Sequence, residues 1–143
     1  MPHSHTLSDR PAHPDSRTVA VIGTGIMGAP MASRLAAAGH RVRAWNRSPD
    51  KLVPLQRVGV EAASSPVAAA RDADVVIVML SAGPVCDEIL LGEDGVIAMM
   101  PPGSSLIVMS SIPVDTARHQ AEVANRQGVG YLDAPVSGGE RGA

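Results

Sequence analysis

The sequence reads as an α/β chain folded into a doubly wound, mostly parallel sheet, and three observations point to this class. Short aliphatic and β-branched runs, TVAVI at 18–22, VVIVML at 75–80 and SSLIVMS at 104–110, alternate with stretches able to form helices. The connections between them are short. The first run ends in a glycine-rich turn, GTGIMG at 23–28, that opens directly into a helical pattern.

Taken in order, residues 1–17 are polar, proline-containing and without periodicity. They are expected to form a disordered leader ahead of one domain over 18–143, without the apolar centre of a secretory signal. His3, His5 and His13 lie in this leader without cysteine or carboxylate partners at ligand spacing, so no metal site is expected. After strand one and the glycine turn comes a helix with Ile26, Met27, Met31, Leu35 and Ala38 as its expected core stripe, ended by Gly39. Strand two is RVRAWNR at 41–47. Ser48-Pro49 gives a cap and a proline at the first helical position, starting a helix to about 58 that Pro54 should kink or shorten.

A short strand is expected near 60–62, and Ser65-Pro66 repeats the cap signal. VVIVML then reads as a strand covered on both faces. Residues 87–100 hold two short helical pieces split by GEDG at 92–95. SSLIVMS, an amphipathic helix at 113–127 and a sixth strand in GVGYLDAPV at 128–136 complete the alternation. Sheets of this class bind ligands beyond the carboxyl ends of their strands. The loops 23–28, 80–84 and 110–113, and the segment after 136, should therefore converge on one site.

Composition narrows the partners. With 143 residues, 45% of them hydrophobic, the chain holds one domain. A net charge of −2, no basic block, and only Trp45 and Tyr131 as aromatics argue against a nucleic-acid partner. The longest apolar run, 75–80, is far too short to span a bilayer. The single cysteine, Cys86, excludes an intrachain disulfide and fits a reducing cytoplasm.

The glycines carry the chemistry. Gly23 closes the tight turn after the strand, Gly25 lets the main chain approach a pyrophosphate, and Gly28 lets the helix pack on the strand. Thr24, Ile26 and Met27 fill the same loop, and the helix behind it directs unpaired N–H groups and a positive dipole end toward phosphates. With a second strand about 20 residues on, this is a Rossmann-type dinucleotide site. NAD sites usually end that strand in an acid; here Asn46 and Arg47 stand there. A carboxylate would repel a 2′-phosphate, whereas Arg47 can pair with one, so NADP is favoured with NAD second. The competing reading is that Arg47 covers the adenine face or stays solvated.

Beyond the glycine turn the chain resembles the β-hydroxyacid dehydrogenase family, which includes 3-hydroxyisobutyrate dehydrogenase and tartronate semialdehyde reductase. The likeness runs from Thr18 to the last residue and is carried by GTGIMGAPMASRLAAAGHRV at 23–42, WNRSPDK at 45–51, MSS at 109–111 and LDAPVSGGERGA at 132–143. The last is the most specific. The resemblance implies that Ser137, Gly138 and Gly139 hold a substrate carboxylate, which suits a hydroxyl beside flexible backbone amides. It also implies that Ser111 lies near nicotinamide and substrate, and that Met79, Leu80 and Ser81 run along the cofactor. Three positions depart from the family: Val108 where Asp is frequent, Pro113 one residue early, and Pro54 inside a helix.

The family's reaction interconverts a small aldehyde acid and its hydroxy acid, with a lysine on a helix well downstream of Ser-Gly-Gly moving the proton. The one lysine here, Lys51, follows strand two at the adenosine end, so no catalytic residue is expected in this chain. The resemblance thus implies a truncated enzyme: a cofactor-binding domain with little or no activity alone. The missing helices would leave apolar surface uncovered and promote self-association. Two alternatives stand beside this reading: a non-catalytic dinucleotide-binding module acting with another chain, and the first domain of an imine reductase.

Overall fold

The computed structural model describes residues 15–81 and 83–136. Six strands form one sheet in which every neighbouring pair is parallel: β1 (Thr18–Ile22), β2 (Arg41–Trp45), β3 (Glu61–Ala62), β4 (Val75–Val78), β5 (Ser105–Val108) and β6 (Gly130–Asp133). Their order is β3-β2-β1-β4-β5-β6. The chain winds outward from β1 to β3, returns to the far side of β1, and winds outward again. The reversal between β1 and β4 leaves a crevice at their carboxyl ends, the place where sheets of this topology take ligands. The doubly wound parallel fold expected from the alternation is therefore the fold observed.

Helices cover both faces: α1 (Gly28–Ala37), α2 (Val53–Gln56), α3 (Pro66–Ala70), α4 (Gly83–Leu90), α5 (Val96–Met99) and α6 (Val114–Arg126). Ala32 and Ala36 of α1 and Leu55 of α2 pack with Val19, Val21, Val42, Ala44 and Ile77 on one face. On the other, residues of α3 to α6, among them Ala69, Cys86, Leu90, Ile97 and Ala124, meet Ala20, Ile22, Val76, Val78, Leu106 and Val108. The alternation of partners along β1 and β4 is the two-residue period of a strand buried on both sides.

Several local expectations are corrected. The buried stripe of α1 is Gly28, Ala32 and Ala36, whereas Ile26 is 73% exposed and Ala38 is exposed. The helix begins only at Gly28, so residues 25–27 belong to the turn, and small side chains set the helix close to the strand. Ser48 makes no side-chain cap; its carbonyl accepts from Lys51 N instead. Residues 49–52 form a 3-10 turn, and Pro54 sits in the first turn of a helix only four residues long. That is shorter than the expected span to 58, for the reason a proline interrupts a helix. The piece expected from 87 starts earlier, at Gly83. Other signals match: the Ser65 hydroxyl accepts from Ala68 N at 3.0 Å, and Gly39 ends α1 with φ +97°.

The start of β1 is pinned by side chains. Thr18 N donates to Asp74 Oδ2 at 2.8 Å, Arg17 N to His40 Nδ1 at 3.0 Å, and the Ser16 hydroxyl to the Gly39 carbonyl at 3.1 Å. At the other flank the covering thins. In register across β4, β5 and β6 stand Ile77, Ile107 and Leu132 on the face that α1 and α2 occupy further over. Ile77 is buried, Ile107 half-buried, and Leu132 is 55% exposed.

Candidate functional site

The crevice is built first from backbone. Gly23 follows β1 with φ +98°, and its N–H donates to the Trp45 carbonyl at 2.9 Å, tying the turn to the end of β2. A Cβ on Gly23 would strike the Met79 carbonyl after β4, and one on Gly28 would strike the carbonyl of Gly23 itself. These two positions need glycine because neighbouring main chain occupies the space. At Gly25 a Cβ would meet nothing within 4 Å. The same motif thus contains two glycines that let the protein pack on itself and one that faces open space.

A side chain holds the turn from 22 residues away. Thr24 N donates to Asn46 Oδ1 at 3.0 Å, and Asn46 Nδ2 donates to the Ser48 carbonyl at 3.1 Å. Asn46 therefore braces the glycine turn against the bend after β2, a role the sequence did not reveal. Arg47, beside it, is exposed. Lys51 is exposed in the 3-10 turn after β2, well along the chain from the ends of β4 to β6.

The crevice fits a dinucleotide. The Thr24 hydroxyl is buried, in a residue 3% exposed, and Oγ1 has no hydrogen-bond partner. A buried hydroxyl without a partner is costly unless a ligand supplies one. Together with the open space at Gly25 and the positive dipole end of α1 behind it, this is a cradle for an anionic, hydrogen-bonding group. Ile26 is exposed and Met27 half-buried at its rim.

The ends of β4 and β5 form the opposite wall. Ser110, 4% exposed, receives the Leu80 N–H on its hydroxyl oxygen at 2.7 Å, and that hydroxyl lies 3.5 Å from the Val78 carbonyl. Ser111 is exposed and lines a shallow groove with Ile112, Pro113, Asp133 and Pro135. Met79 and Leu80 are half-buried and Ser81 exposed. The structure thus brings 23–28, 46–47, 79–81 and 111 to one edge of the sheet. Ser137, Gly138 and Gly139 lie outside the described residues.

Beneath this wall runs a polar chain that sequence reasoning missed. Tyr131 OH donates to Gln120 Oε1 at 2.7 Å, and Gln120 Nε2 donates to Asp87 Oδ1 at 2.8 Å, linking β6, α6 and α4. Gln120 is fully buried. Burial, reinforced by Asp133, Cys86 and Asp87, pushes the Tyr131 phenol up to about 12. Burial also raises the neighbouring Cys86 thiol, against an opposing hydrogen bond from Ser110. Only the amphipathic spacing of α6 hinted at Gln120, as a polar residue in the phase of Ala117 and Ala124.

A profile of the NAD binding domain of 6-phosphogluconate dehydrogenase matches residues 18–143. The chain belongs to this family. Among curated relatives, the 3-hydroxyisobutyrate dehydrogenase of Pseudomonas aeruginosa is 42% identical over 125 residues, which cover 87% of this chain and 42% of that protein. The 2-hydroxy-3-oxopropionate reductase of Escherichia coli is 43% identical over 125 residues, covering 85% and 41%. Of solved structures, Mycobacterium tuberculosis 3-hydroxyisobutyrate dehydrogenase with L-serine superposes with a TM-score of 0.82 at 39% identity, over 90% of this chain and 43% of that one. An imine reductase from Myxococcus stipitatus with NADP+ gives 0.79 at 27%, over 87% and 42%, and a variant with NAD+ gives 0.80 at 25%, over 88% and 43%. The chain thus spans under half the length of the relatives it matches. It is an NAD(P)-binding domain of this family, similar in sequence and fold to part of 3-hydroxyisobutyrate dehydrogenases. Among the described residues no helix is long and apolar enough to cross a membrane, and no cluster is suited to a metal.

Proposed function

We propose that this domain binds NADPH in preference to NADH, for the reversible reduction of a small aldehyde acid to a hydroxy acid. The observation that carries the reading is the cradle at the β1–β4 switch point, with a buried partnerless Thr24 hydroxyl and open space at Gly25, beside a β2 end that offers Asn46 and Arg47 in place of an acid. Residues 23–28 would hold the pyrophosphate, Arg47 the 2′-phosphate, and Met79, Leu80, Ser81 and Ser111 the nicotinamide end. When bound, the nicotinamide supplies a hydride to the carbonyl carbon. Asn46, an uncharged carboxamide held on Thr24 and Ser48, adds no negative charge at the end of β2 to repel a 2′-phosphate. Ser137, Gly138 and Gly139, with Ser111, would clamp the substrate carboxylate.

Assayed alone, these 143 residues bind cofactor without turnover in this reading, because Lys51 belongs to the adenosine end. Ile107 and Leu132, on the thinly covered flank, support self-association through apolar surface. The test is protection against thermal unfolding by NADPH and NADH, in the wild type and in Arg47→Ala. NADPH should protect more, and Arg47→Ala should weaken NADPH about tenfold while sparing NADH, the loss of one charge-assisted pair. Stronger protection by NADH would overturn the cofactor assignment, and robust turnover of 3-hydroxyisobutyrate or tartronate semialdehyde would overturn the inactivity.

A further inference from the structure

We propose that Ser110, rather than only its exposed neighbour Ser111, sets the nicotinamide end of the site by latching the loop after β4. The proposal rests on the dinucleotide reading above and deepens it. As the strands leave the sheet, backbone hydrogen bonds continue for one residue: Met79 N donates to the Ile22 carbonyl at 2.8 Å and Met109 N to the Val78 carbonyl at 2.9 Å. One residue later, where Leu80 turns away from the ladder, the Ser110 hydroxyl receives its N–H at 2.7 Å. The same hydroxyl lies 3.5 Å from the Val78 carbonyl.

One buried oxygen therefore joins the end of β4 to the end of β5. Leu80 and Ser81 on one side, and Ser111 on the other, take their positions from it. The Ser110 hydroxyl itself bonds only the ends of β4 and β5; the glycine turn packs on Met79 and Leu80 but is held by its own hydrogen bonds at Gly23, Thr24 and Asn46. Ser110 is thus a positioning residue for one half of the ligand. Removing its hydroxyl leaves the Leu80 N–H without its partner and frees the loop to move away from the crevice.

The geometry predicts a split that a general loss of stability would not produce. NADPH spans both halves of the site, whereas 2′,5′-ADP occupies only the half built by residues 23–28 and 46–47. Calorimetric titration of the 143-residue chain should show Ser110→Ala weakening NADPH about tenfold, the effect of one unmade buried hydrogen bond, with 2′,5′-ADP changed less than about twofold. Ser110→Thr, which keeps the hydroxyl, should restore NADPH affinity. Ser110→Cys keeps the size with a weaker acceptor and should fall between, and it carries the same comparison if the alanine variant does not fold. Equal losses for both ligands, or no loss for either, would overturn the latch while leaving the dinucleotide site standing. Failure of the wild type to bind either ligand would overturn the dinucleotide reading and the latch together.

Discussion

The β1–α1–β2 end of the molecule and the β4–β6 end achieve order by different means. In the first, main chain packs on main chain: Gly23 against Met79, Gly28 against Gly23, Gly23 N on the Trp45 carbonyl. Asn46 adds a side-chain bridge between the glycine turn and the bend after β2. In the second, buried side chains make the joints: Ser110 between strand ends, and Tyr131, Gln120 and Asp87 between β6, α6 and α4. The difference bears on function. A backbone cradle suits phosphates, which any sequence of amides can bind. A wall held by hydroxyls and amides at particular positions suits the end of the ligand where chemistry must be aligned.

The largest effect should come from filling the first region. Gly23→Ala places a methyl group against a backbone carbonyl at positive φ, so the turn or the end of β4 must shift, at about 3 kcal/mol of stability. Gly25→Ala meets open space and should cost less than about 1 kcal/mol, yet weaken NADPH strongly because the methyl enters the cradle. Urea midpoints paired with NADPH titrations separate the two. If Gly25→Ala destabilises as much as Gly23→Ala, the division of labour within the motif is wrong.

A smaller effect is expected from cutting the side-chain joints. Gln120→Leu removes both hydrogen bonds of a fully buried amide and leaves Tyr131 OH and Asp87 Oδ1 without those partners, at roughly 1–3 kcal/mol. Gln120→Glu keeps the size but sets a carboxylate against Asp87, so it should lose at least as much above neutral pH and recover on acidification as the pair takes up a proton. A Gln120→Leu protein as stable as the wild type would show that hydrophobic packing, not the polar chain, joins α4 to α6.

The two regions were also unequally legible. The glycine turn is local in sequence, and each glycine has a steric reason that spacing alone suggests, so the fold, the crevice and the β2 end could be read without coordinates. The phase of α1 could not: Ile26 and Met31 looked like core because they are large, whereas the close approach at Gly28 selects Ala32 and Ala36. The second region depends on pairs 30 or more residues apart, Leu80 with Ser110 and Asp87 with Gln120. No periodicity announces such pairs, and a lone buried glutamine looks like any polar residue on an amphipathic helix. Ser111 is named by resemblance, and Ser110 only by its hydrogen bonds.

The smallest effect, and the one that separates the regions by pH, is alkaline. The Tyr131 phenol stands near 12 in the fold, above its ordinary value near 10, and the Cys86 thiol is raised as well, both chiefly by burial. Groups whose folded pKa is raised contribute stability while protonated, so that stability is full below the ordinary phenol value and lost as pH climbs from about 10 toward about 12. Tyr131 is half-buried, and solvent screening keeps the loss modest. Tyr131→Phe should lower the urea midpoint at pH 8, where the bond to Gln120 is lost, and shallow the decline above pH 10. Glycine-turn variants leave Tyr131 and Cys86 in place, so they should decline with pH in parallel with the wild type. A Tyr131→Phe protein that loses stability above pH 10 as steeply as the wild type would place the alkaline weakness outside the β6–α6–α4 joint.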